Sequence, residues 1–441
     1  MFLSPCSRIL SLLGLFIALA SMAHAQRVEF SSSTLPLIVI DTQRGAIPDE
    51  PKVTARMRVI DNGSGERNAL TDPPTDYDGW VGIERRGSSS SRFPKKQYTV
   101  ETRHEDGSNR SVALLGLPEE NDWVLHAPYS DKSLLRNALA YHLARETGRY
   151  ASRARFCEVV LDGNYQGVYV LFEKIKDDGN RVALADTDSL GGGYIAKLDK
   201  RTGGTSGTWP SRDPITGQFV RYQFHDPEGD ELTEAQRNEI EASFDRMEEA
   251  TTESDFSDLD LDSFVDYVIV NELAKNIDAY RISTYFHRPE GGAPIHAGPV
   301  WDFNIAFGNA DYGTGSRTTG FQYATPYTSE TYPIPSWWTR VVESEPFQER
   351  FRERWGELRS GSFRTETLVA WIDARVDELA GAQERNFERW PILDEDVWPN
   401  DYVGGSYAAE IDYLKTWLTE RLAWLDGELL SPASSTERTS E

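Results

Sequence analysis

The hydrophobic period of this chain changes partway along, and that change restricts the possible fold more than any other feature. Seven short apolar or alternating runs come first: Leu35–Ile40, Val53–Ile60, Gly79–Arg85, Gln97–Glu101, Trp123–His126, Phe156–Leu161 and Gly167–Phe172. Each is bounded by Gly, Asp or Pro, so each predicts a strand. One helix interrupts them, Ser133–Glu146, with apolar residues at 134, 135, 138, 139 and 143 and a stop at Gly148. Residues Gly191 to Phe224 predict further strands and a long loop. Helical spacing then takes over at Thr233–Thr251, Leu261–Lys275, Trp337–Arg359, Thr365–Trp390 and Tyr407–Leu430. The pattern predicts an α+β fold, β-rich in its N-terminal half and helical in its C-terminal half. The polar tail from Ser431 is expected to be disordered.

A chain of 441 residues can bury a large core, and 12 Trp, 19 Tyr and 19 Phe make much of that core aromatic. Eight of the 12 Trp fall between 337 and 424 on helical spacing, which favours packing over a sugar platform. Cys6 lies in the leader and Cys157 is alone after it, so no intrachain disulfide can form. Cys157 sits in a strand-like run and reads as a packed small residue. No His-Glu-x-x-His or Cys-x-x-Cys spacing occurs, which removes sequence support for zinc.

Arg8, the apolar run Ile9–Ala20 and the small residues Ala23 and Ala25 read as a signal peptide, residues 1–25, cleaved before Gln26. The expected location is secreted, periplasmic or cell-surface, with no membrane span after cleavage. The formal charge of −25 repels nucleic acid and anionic lipid. Within that acidity Arg85, Arg86, Arg92, Lys95 and Lys96 form a basic island.

Asp278 and Asp302 lie 24 positions apart, each among bulky apolar residues. A carboxylate in such surroundings is costly to bury unless it binds a cation, accepts hydrogen bonds or does chemistry. For a single Asp, capping a helix or turn is the ordinary alternative. Protein kinases need one carboxylate to receive the hydroxyl proton and a second to hold magnesium. Ser283 stands five residues after Asp278, where a kinase catalytic loop places a metal-binding side chain, and Asp302-Phe303-Asn304 is an analogue of Asp-Phe-Gly.

Several longer stretches carry a family resemblance: Arg86–Tyr98, Leu115–Pro118, Asn121–Leu125, Asp131–Tyr141, Gly163–Ile175 and Gly192–Ile195. From about residue 80 to 312 the chain resembles the spore-coat protein H (CotH) family of atypical protein kinases. The resemblance implies a bilobal kinase-like fold, with a β-rich N-lobe over 34–180 and a mainly helical C-lobe over 181–430. It implies ATP with Mg²⁺, or Mn²⁺, as cofactors and a Ser or Thr hydroxyl of a protein as acceptor. Asp278 becomes the general base and Asp302 the principal metal ligand, with Ser283 and Asn304 as further oxygen ligands. Lys275 and Asn276 stand where ordinary kinases have His and Arg, which leaves open what orients the base. Arg281 is a candidate to neutralise the transferred phosphoryl group.

Arg86–Arg92 would be the turn that covers the phosphates, with one Gly and four Ser in place of a glycine-rich pattern. Extending the strand alternation places Lys96 on the apolar face with Tyr98 and Val100, making Lys96 the phosphate-gripping lysine and Lys95 the fallback. Both could instead be exposed side chains on an edge strand. Arg136 orients phosphates or binds neighbouring backbone. Glu173 pairs with Lys96 or lies near the adenine. The segment 311–336 resembles an activation loop by position. A non-catalytic surface or matrix binding protein on the same fold is the alternative. A two-carboxylate glycosidase is a third class, which leaves the basic island unexplained.

Overall fold

The computed structural model describes residues 26–200, 207–324 and 331–431; the expected signal peptide and the tail from 432 lie outside the described residues. The first strands are β1 (Ser32–Ser33), β2 (Leu37–Asp41), β3 (Val53–Ile60), β4 (Asn68–Ala69) and β5 (Tyr77–Arg86). A 3₁₀ turn at Ser89–Arg92 leads to β6 (Gln97–Arg103) and β7 (Asp122–His126). Helix α1 (Arg136–Glu146) follows, then β8 (Ala154–Leu161) and β9 (Asn164–Glu173). Strands β2, β3, β5, β6, β7, β9 and β8 close in that order into a barrel. All neighbours are antiparallel except the closing pair, β2 beside β8. Period-two alternation drives this arrangement: Tyr98 and Val100 of β6 point inward to meet Val81, Ile83, Trp123 and Leu171. Each such apolar side chain contributes about 1.5–3 kcal/mol on burial.

A second sheet contains β10 (Tyr194–Leu198), β11 (Thr208–Arg212), β12 (Phe219–Asp226), β13 (Thr284–Arg288) and β14 (His296–Ala297), in the order β11-β12-β10-β13-β14. The last two strands fall between the helices expected at Leu261–Lys275 and Trp337–Arg359, where no element was expected, because an apolar run as short as Thr284–Arg288 carries no decisive period. The helices are α2 (Glu234–Ala250), α3 (Leu261–Ala274), α4 (Ser336–Val342), α5 (Glu345–Ser360), α6 (Thr365–Arg389) and α7 (Tyr407–Leu429). Their starts follow capping chemistry: Thr233 and Gln236 form a capping box, and the Asp260 carboxylate accepts the Ser263 N–H at 2.8 Å. The single helix expected over 337–359 is two, broken at Ser344, with Pro346 in the first turn of α5. Helix α3 is buried from Ser263 to Ala274 and forms the centre of the helical part. Trp337, Trp338, Trp355 and Trp417 pack in that core as expected, and Cys157 is buried in the barrel.

Helix α6 lies against β9 and fastens the end of the chain to the barrel. Asn386 Oδ1 accepts from Lys95 Nζ at 2.8 Å and from the Val168 N–H at 3.1 Å, and Arg385 pairs with Glu158 at 2.7 Å. Gly167 makes this approach possible. Its φ is 97°, and a Cβ there would come within 2.5 Å of Asn386 Oδ1. No described helix is long and apolar enough to cross a membrane.

Candidate active site

A cleft of about 360 Å³ collects the barrel's β5 end and serine turn, the β10 end, and the two acidic segments. Asp278 and Asp302 both line it, with Ser283, Asn304 and Arg86. These five residues were expected to share a site, and the fold brings them together. Five non-glycine residues in the two segments, 275–283 and 301–308, have left-handed backbone: Lys275 (φ 44°), Tyr280 (70°), Ser283 (50°), Asp302 (64°) and Phe307 (50°). Such conformations cost energy in non-glycine residues and persist where surrounding contacts hold them.

Those contacts are visible around Asp302. The neutral His126 ring, pushed down to about 3 by burial and by the Arg86 and Lys95 charges, donates from Nδ1 to Gln97 Oε1 at 2.9 Å. Its Nε2 accepts from Asn137 Nδ2 at 3.1 Å, and Asn137 Oδ1 accepts the Phe303 N–H. The Asp302 N–H donates to the Tyr141 hydroxyl at 3.2 Å. Asp302 is open to the cleft, with protein closely packed around it. Desolvation by these cleft walls first, and Asp278 second, push its carboxyl up to about 6, while Arg86 and Lys200 pull the other way.

Asp278 is oriented from both sides. Its backbone N–H donates to Asn276 Oδ1 at 3.2 Å, and Arg281 Nη2 donates to its carboxylate. Arg281 therefore faces the candidate base, not the cleft, which corrects its expected role on the phosphoryl group. Lys275 anchors the loop after the second acid through the Thr319 and Gly320 carbonyls. In the same loop Glu272 accepts the N–H groups of Gln322 and Tyr323 at 2.7 and 3.0 Å. Residues 325–330 of the expected activation segment lie outside the described residues.

Three basic or acidic assignments are also corrected, and the open choice for Arg136 is decided. Lys95, not Lys96, is the buried lysine. Its Nζ is spent on Val168 O and Asn386 Oδ1, and burial pushes it down to about 7. Lys96 turns back to the Ser91 and Phe93 carbonyls at 2.8 and 2.6 Å. Neither lines the cleft. Arg136 is buried against Asp131 at 2.6 Å and donates to Ala306 O at 3.1 Å, so it binds backbone behind the second acid. Glu173 pairs with Arg153 at 2.7 Å and Arg181 at 3.3 Å, away from Lys96.

The cleft's cations come from elsewhere. The Arg86 guanidinium lies 5.5 Å from the Trp301 ring centroid, and Trp301 stacks on Tyr141. Lys200, just beyond β10, reaches Ser89 Oγ of the serine turn at 3.4 Å. Asp199 accepts from the Ser283 N–H and hydroxyl at 3.4 and 3.5 Å and pairs with Lys197 at 3.6 Å. Lys197, Asp199 and Lys200 all line the cleft and were absent from the sequence expectation. Their run, Lys-Leu-Asp-Lys after an apolar strand, was the available signal. The serine turn is shaped by Gly87, whose φ is 104° and whose added Cβ would meet Ser90 Oγ at 2.1 Å.

Among the described residues no group of three or more His, Cys, Asp or Glu side chains is arranged to hold a metal. Magnesium is usually held by one or two carboxylates together with substrate phosphates, and Asp302 with Asn304 or Ser283 fits that donor set. Arg86, Lys200 and the serine turn provide donors for a phosphate chain.

A family model described as CotH kinase protein matches residues 83–425, well beyond the motif-bearing stretch. No curated protein matches the chain. Among solved structures, the chain is similar to the Helicobacter pylori proinflammatory kinase CtkA at 9% identity. That match covers 73% of this chain and 93% of that one, with a TM-score of 0.25.

Proposed function

Because this chain belongs to the CotH kinase family, we propose that it is a secreted or periplasmic, Mg²⁺-dependent atypical kinase moving the γ-phosphoryl group of ATP to a protein Ser or Thr. The observation that carries the proposal is the meeting of Asp278 and Asp302 in one cleft, close enough for Asp278 to raise the Asp302 carboxyl. Two carboxylates so placed divide into a hydroxyl-facing base and a metal ligand. The cleft is lined by barrel residues such as Arg86 and Gln97 and by the segments that carry Asp278 and Asp302, which supports the bilobal reading.

Asp278 would accept the acceptor's hydroxyl proton, held in orientation by Asn276 and Arg281. Asp302 would hold the cation with Asn304 or Ser283, and a bound Mg²⁺ would offset negative charge on the β- and γ-phosphates. Arg86 and Lys200 would grip the phosphate chain from the roof and the β10 end. The export leader expected at 1–25 from the sequence supports the location.

The test is label transfer from γ-labelled ATP to a basic protein acceptor, with wild type beside Asp302→Ala and Asp278→Asn. Transfer by wild type and its loss in both variants is expected. A kinase-like binding module is the second reading, favoured by the engagement of Asp278 with Arg281 and by the absence of Lys95 and Lys96 from the cleft. A nucleotide-dependent rise in melting temperature without any label transfer would select it.

A further inference from the structure

The cleft is lined both by cations and by an exposed aromatic side chain. Arg86 and Lys200 stand near Asp302, while Trp398, 54% exposed, and its neighbour Pro399 line the same cleft from another segment. The Trp398 ring lies nearly parallel to that of Tyr312, with centroids 6.3 Å apart and planes 4° apart. A backbone bond from Asp311 N–H to Pro399 O at 2.9 Å ties the two segments together. The other Trp residues of the helical part are buried or half-buried, so this indole is the exception among the described residues.

Its surroundings are acidic. Asp311, Asp396 and Asp401 are exposed on the same two segments, and Asp49 and Glu50, also exposed, line the cleft from the barrel side. The nearest lysine in this segment's contacts, Lys132, is turned onto the Leu393 and Glu395 carbonyls. An exposed aromatic face amid carboxylates attracts a cation by its ring quadrupole and by charge complementarity. The cleft's own cations repel such a group, but they face the nucleotide's phosphates. Arginine suits the ring best, because its guanidinium stacks flat.

We propose that this rim receives the acceptor protein, and that the acceptor carries an arginine or lysine beside the hydroxyl it presents to Asp278, seated on Trp398. The inference rests on the kinase reading for the identity of the hydroxyl, and its test does not require turnover. Fluorescence anisotropy with the full chain would compare a labelled Ser peptide flanked by Arg with the same peptide flanked by norleucine. Wild type should bind the Arg peptide about tenfold more tightly, Trp398→Ala should lose most of that preference, and Trp398→Phe should keep it. Affinity for a non-hydrolysable ATP analogue should be the same in all three. Equal binding of the two peptides by wild type would overturn the proposal. So would a loss of nucleotide affinity in Trp398→Ala, which would give the ring to adenine. Discrimination between peptides in a protein that transfers no phosphate would support the rim while refuting the kinase.

Discussion

Asn137 in the first turn of α1 holds the backbone of Phe303, its Oδ1 accepting the N–H one residue after Asp302. The other face of the amide is fixed by His126, so the Asp302 segment is positioned by a chain of neutral hydrogen bonds running from β6. Asn137→Ala should leave a buried N–H without its acceptor and cost about 1–3 kcal/mol. Thermal unfolding reads that cost. Mn²⁺ affinity followed by electron spin resonance should fall as well, and unchanged affinity would show that Asn137 supports only the fold.

The buried pair Arg136–Asp131 gives a prediction that separates scaffold from nucleotide binding. Both side chains are almost fully inaccessible, so Arg136→Met would strand the Asp131 carboxylate. Breaking a buried pair in this way costs about 3–5 kcal/mol. Denaturant unfolding should show that loss equally with and without ATP. A loss seen only with ATP would restore a phosphate-binding role.

Lys95 predicts a pH effect of defined sign. Its folded value, about 7, is depressed below the ordinary 10.5 by burial. The fold therefore favours the neutral amine, and this favourable contribution is complete above 10.5 and lost as pH falls toward 7. Stability of wild type relative to Lys95→Met should rise between pH 7 and pH 10 and change little below pH 7. Urea midpoints at several pH values measure this, and a flat difference would mean that the amine stays charged.

Lys200→Met should weaken binding of an ATP analogue about tenfold or more, as expected when a charge-assisted phosphate contact is removed. Lys96→Met should leave it unchanged, because Lys96 already caps the serine-turn carbonyls. Isothermal titration with both variants decides between the two lysines.

The acidic segments were legible because their signal is local: a polar residue in an apolar run, followed at fixed distance by oxygen donors. Strand alternation, in contrast, holds only inside a strand. Lys95 and Lys96 precede β6, which starts at Gln97, so extending the pleat outward selected the wrong lysine. Asp199 and Lys200 depend on a pairing that spans the chain. Leu198 of β10 stands opposite Thr284 of β13, and this register sets Asp199 beside Ser283. Barrel closure through the parallel β2–β8 pair is likewise a non-local fact. Glu173 was assigned by proximity to a strand end, whereas its arginine partners come from both flanking connections.

The attachment of α6 to β9 bears on how the protein can be cut and moved. Asn386, Arg385 and Trp390 rivet the barrel to a helix that begins some 50 residues after the last recognisable motif. A fragment ending near residue 312 would keep every catalytic candidate and lose the strut that holds the roof over them. The same contacts oppose any wide swing of the barrel away from α6, so whatever occupies the cleft must fit between parts that are fastened to each other.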